Sequence, residues 1–105
     1  MECIMDLVYL KEHLCEELEG AKEYIKRAIE IKAMDSNWGK LFYEMSVQEL
    51  SHAENFFKMS QFYYSKVTSV FKEKPDYMDE CMYDITEMYT EETTAIKAMQ
   101  ELYSR

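Results

Sequence analysis

Apolar residues recur along this chain at alternating steps of three and four, the spacing that returns a side chain to one side of an α-helix. Three such runs are present. From about residue 3 to 34 the stripe is Leu7, Leu14, Leu18, Ala21, Ile25, Ala28 and Ile29. From about 37 to 70 it is Trp38, Phe42, Met45, Phe56, Met59 and Tyr63. From about 76 to 104, Met78, Met82, Ile85, Tyr89, Ile96, Met99 and Tyr103 are expected to turn inward. Asp35-Ser36-Asn37 separates the first two runs, with Asp35 or Ser36 available as a helix cap and Gly39 in the next turn. Lys72-Glu73-Lys74-Pro75-Asp76 is the second break, and Pro75 suits the first turn of the helix that follows. So short a connection between long helices implies antiparallel neighbours. The expected fold is all-α: one domain over residues 1–105, a long-helix hairpin plus a third helix.

The second stripe has two polar members in mid-run, Glu49 and His52, within Glu49-Leu50-Ser51-His52. A carboxylate turned toward apolar neighbours is costly unless it is paired, protonated or bound to a metal. Glu-x-x-His sets a carboxylate and an imidazole side by side, so both can reach one ion. Among the glutamates of helix 1, Glu16 shares a face with Glu12, Glu23 and Arg27, and Glu19 lies with Glu12, Lys22, Glu23 and Lys26. Both are solvated faces. Glu17 instead neighbours Leu10, Leu14, Ala21, Tyr24 and Ala28, and is the expected partner of the pair on helix 2. Three further residues are open in role. Glu92, between Tyr89 and Ile96, is a ligand, a hydrogen-bond acceptor behind one, or an edge residue reaching water. Tyr24 is a redox relay, a hydrogen-bond partner or a core tyrosine. His13, one turn before Glu17, is a second imidazole ligand, a proton carrier or a partly exposed surface residue.

A di-metal site in a helical bundle takes a Glu from each of two helices and a Glu-x-x-His from each of two others. One chain supplies half of that set and two chains supply all of it, so the expectation is a two-fold homodimer with the site across its interface. Mixed carboxylate and imidazole ligands suit iron or manganese and also accept zinc. With iron, the expected reaction is oxidation of the ferrous ion by oxygen, giving water or peroxide.

Charge narrows the partners. Asp and Glu outnumber Lys and Arg 21 to 12, a net charge of −9, which argues against nucleic acid and anionic membranes and for cations. Cys3, Cys15 and Cys81 are odd in number and lack CxxC spacing, so reduced thiols and a cytoplasmic setting are expected. No basic leader or long uncharged apolar run is visible.

Glu16-Glu17-Leu18-Glu19-Gly20-Ala21 with Tyr24, then Glu49-Leu50-Ser51-His52-Ala53-Glu54, resemble the first half of ferritin-like and rubrerythrin-like proteins. In those, a ligand Glu on one helix precedes Glu-x-x-His-Ala on the next. The likeness is strongest to the encapsulated ferritins, half-ferritin chains that dimerise around a ferroxidase centre and form rings inside encapsulin shells. It covers about residues 14 to 60. The resemblance implies a ferritin-like four-helix bundle made by two chains, with Glu17, Glu49 and His52 as the iron ligands and catalytic residues. Glu16 and Glu19 would then mark the route by which metal enters. Three departures stand out: the connection between the first two helices is slightly longer, helix 3 is longer and richer in Tyr and Met, and Gln100-Glu101-Leu102-Tyr103-Ser104-Arg105 is not a recognisable encapsulin-targeting peptide. The alternative expectation is a non-catalytic helical assembly or adaptor protein that retains a ferritin-like hairpin, its Met-rich third helix packing on partners.

Overall fold

Asp6 opens the first helix. Its backbone is extended and its carboxylate accepts the Tyr9 N–H at 2.9 Å, satisfying one of the unpaired donors of a helix start. The computed structural model describes residues 6–70 and 76–105, which form α1 (Leu7–Ile31), α2 (Ser36–Val70) and α3 (Asp76–Ser104), with no strand among them. The fold is all-α. The Ile31 carbonyl accepts both Met34 N–H and Asp35 N–H, so α1 ends there in a tight turn rather than at residue 34. Of the two candidate caps for α2, Asp35 serves: Oδ1 accepts the Asn37 and Trp38 N–H groups at 3.1 and 3.0 Å. Cys3 and the expected start of helix 1, like Pro75 and the segment before it, lie outside the described residues.

The helices form a slab 57 × 26 × 15 Å. A helix with its side chains is about 10–12 Å across, so the thin dimension holds two layers at most. α1 and α2 make the hairpin layer, and α3 lies over one of its faces. Phe57 stacks on Tyr89 (centroids 4.2 Å apart), Tyr43 on Tyr103, and Lys22 pairs with Glu92 at 2.9 Å. Leu7, Leu14, Leu18, Ala21, Leu50, Ala53, Met78, Ile85 and Ile96 form the buried core.

The contact line of α2 differs from the stripe that the large apolar residues suggest. Its buried positions are Gly39, Ser46, Leu50, Ala53 and Ser60. Four of these are small and recur every seventh residue. Trp38 is 55% exposed, and Met45 and Met59 are each 38% exposed. The reason is steric. Where two helices approach closely, the line of contact admits only small side chains, and bulky ones move to its flanks. Ala21 and Ala28 answer from α1, both fully buried. The two buried serines are satisfied: Ser46 donates to the Ala21 carbonyl at 2.7 Å and Ser60 to the Phe56 carbonyl at 2.9 Å. The Trp38–Tyr63 stripe therefore borders the face of the hairpin that α3 leaves bare.

Candidate metal centre

Antiparallel pairing brings residues of α1 and α2 together in successive layers. Tyr24 meets Phe42, Ala21 meets Ser46, and His13 stacks on Phe56. Between the last two layers Glu17 meets Glu49 and His52. One ligand atom from each of these three lies within 4.8 Å of the others, and no other group of three His, Cys, Asp or Glu does so among the described residues. Glu17 Oε2 is 3.7 Å from His52 Nδ1, too far for a direct hydrogen bond. Glu17 and Glu49 are half-buried and His52 is exposed.

Packing between α1 and α2 explains the electrostatics. It desolvates Glu17, and the neighbouring Glu49 carboxylate adds hydrogen bonding and a like charge. Burial first, then Glu49, pushes Glu17 up to about 7, against a smaller opposing pull from His52. Two carboxylates are thus held close enough to compete for one proton. A divalent cation relieves the same crowding.

Ligand atoms bound at about 2.1 Å to one ion sit about 3.0–3.4 Å apart. The three ligand atoms lie within 4.8 Å of one another, so a contraction of at most about 1.8 Å would close them around a metal. Side-chain torsions of two glutamates and a histidine allow that, so the donor set fits a cation with mixed oxygen and nitrogen ligands. Three protein ligands would leave coordination positions free on a bound ion.

The remaining candidates are not drawn into the cluster. Glu16 is exposed and lies 3.4 Å from His13 Nδ1. Glu19 is exposed and accepts from the Cys15 thiol at 3.4 Å. Tyr24 sits half-buried against Phe42, its ring centroid 6.2 Å away. Glu92 is taken up by Lys22, five residues and about 140° around α1 from Glu17, on the side that α3 covers. It is an inter-helix pairing residue there, rather than a ligand of this cluster. His13 likewise spends its ring on Tyr9 and Phe56.

No protein-family model matches the chain, and no curated protein or solved structure gives a significant match.

Gly20 is a site residue that hydrophobic patterning does not single out. It lies against the Glu49 side chain. A lone glycine inside an otherwise unbroken helical pattern, three residues after Glu17, is the signal that marks it.

Proposed function

We propose that two copies of this chain pair through the bare face of the α1–α2 hairpin and hold two metal ions between two sets of Glu17, Glu49 and His52. The observation that carries this reading is the clustering of the three ligands at a partly exposed place on the hairpin. Glu17 and Glu49 are half-buried and His52 is exposed, and the α2 stripe that carries Glu49 and His52 also carries exposed Trp38, Met45 and Met59. A face that combines large apolar side chains with a half-set of ligands is suited to its own two-fold copy. Pairing would form a four-helix bundle from two hairpins, with α3 of each chain on the outside.

Iron is the proposed ion, and the resemblance to ferritin-like proteins of the encapsulated type supports that choice. Ferrous iron enters as substrate: two ferrous ions each give one electron to oxygen, which takes up two protons as peroxide. The carboxylates of Glu17 and Glu49 would neutralise the added charge, and His52 would supply nitrogen. The acidic surface favours arrival of cations.

Anaerobic titration with ferrous iron, followed by oxygen uptake and sedimentation, tests the proposal. Wild type should bind about one iron per chain, consume oxygen and sediment as a dimer or larger. Glu49→Ala should lose the iron and the oxygen uptake. Equal, negligible iron in both proteins would end the reading.

The exposed apolar residues also favour a second reading, a helical assembly or adaptor protein. Phe62 is 72% exposed. Under that reading His52→Ala changes assembly but not metal content.

A further inference from the structure

α1 runs unbroken through Gly20, and neither glycine of the described chain has a positive φ. The backbone there does not require a residue without a side chain, and glycine weakens a helix interior. Space accounts for it. A Cβ at position 20 would lie 3.3 Å from Oε2 of Glu49 and 3.6 Å from its Cδ and Cγ. All three nearest atoms belong to that one carboxylate side chain. At Gly39 the comparison is different: a Cβ would meet the Lys32 Cα at 3.2 Å and the Ala28 carbonyl at 3.5 Å. Gly39 serves the close packing of backbone at the turn. Gly20 serves a carboxylate.

We infer that Gly20 is a positioning residue of the metal centre, its missing side chain leaving a notch on α1 that seats the Glu49 carboxylate beside Glu17. Gly20 lies three residues after Glu17, so the notch and the first carboxylate share one side of α1. The helix backbone is fixed by its hydrogen bonds, whereas the glutamate end is flexible. A methyl group at position 20 would therefore be accommodated by Glu49, which would retreat by a few tenths of an ångström. The metal-free protein tolerates that displacement. Metal binding does not, because ligand atoms must be held within about 0.5 Å of their working positions. This makes Gly20 a place where helix stability is given up for ligand geometry, and the two should move in opposite directions on substitution.

The inference rests on the metal-binding reading above, and the experiment separates the two. Cobalt(II), whose visible absorption reports coordination geometry, is titrated into the full chain as wild type, Glu49→Gln, Gly20→Ala and Gly20→Leu. Each is also melted without metal. Gly20→Ala should melt a few degrees higher without metal. It should bind cobalt about tenfold more weakly, with an altered spectrum, and Gly20→Leu about a hundredfold more weakly. Combining Gly20→Ala with Glu49→Asp draws the shorter carboxylate back from the added methyl, so the double loss should be smaller than the sum of the single losses. If wild type binds and Glu49→Gln does not, yet both Gly20 variants bind as wild type does, the notch is idle and the inference fails while the metal reading stands. A Gly20→Ala protein that loses affinity and metal-free stability together also overturns it, since general damage to α1 then suffices. If wild type binds no metal, both fall.

Discussion

Glu17→Gln tests the electrostatics of the cluster without reference to any metal. In the folded chain Glu17 is raised from 4.5 to about 7 by burial and by Glu49. Between those values the folded state holds a proton that the unfolded state has released. Stability therefore falls as pH rises from about 4.5 to about 7 and levels off above. At about 1.4 kcal/mol per tenfold, the full shift is worth about 3 kcal/mol. The cluster is open to solvent on one side, which brings the expected figure to about 2 kcal/mol. Glutamine has the shape of the protonated acid and carries no charge. At pH 8 the metal-free variant should thus be about 2 kcal/mol more stable than wild type, about 8 °C in melting temperature for a chain of this size. At pH 4.5 wild-type Glu17 is already protonated when folded and half-protonated when unfolded, so the gain should shrink below about 0.5 kcal/mol. Thermal melts by circular dichroism at both pH values, at one protein concentration and with chelator present, provide the measurement. A variant no more stable than wild type at pH 8, or equally stabilised at both pH values, refutes the assignment of a crowded, protonated Glu17.

Metal affinity should follow the same proton: between pH 5.5 and 7, zinc or manganese binding should strengthen by at least about tenfold per pH unit as the ion displaces it, measured by titration calorimetry. A flat profile counts against Glu17 as a ligand. Met45→Glu, on the bare face, should shift sedimentation toward the monomer at micromolar concentration while leaving helicity unchanged; an unaltered dimer would place the interface elsewhere. Ser46 is fully buried, donates to Ala21 and accepts from Gln100 at 3.1 Å. Ser46→Ala should cost about 1–2 kcal/mol in denaturant melts by stranding those partners, whereas Ile85→Ala, which empties a fully buried site on α3, should cost about 2–5 kcal/mol.

Among the site residues, the proximity of Glu17, Glu49 and His52 was legible in the chain because each step is local. Three-residue spacing sets Glu49 beside His52 on any helix, and a short turn forces the preceding helix to run back alongside. Only one glutamate of that helix then borders the apolar strip. Glu92 was not legible in the same way. Its periodic position places it near the inner side of α3, but whether it meets Glu17 or Lys22 depends on which face of the hairpin α3 covers. That is settled by packing between distant segments, here by Phe57 on Tyr89 and Gln100 on Ser46.

What the sequence determines by itself is the helical class, the breaks between its helices and the registry of a few neighbouring side chains, all consequences of helix period and capping chemistry. Tertiary structure alone decided that the contact line of α2 runs through Gly39, Ser46, Ala53 and Ser60. Hydrophobic size points to Trp38, Phe42 and Met45, but close approach of two helices rewards small side chains and pushes large ones aside. That displacement leaves Glu49 half-buried and His52 exposed, off the line where α1 and α2 approach most closely.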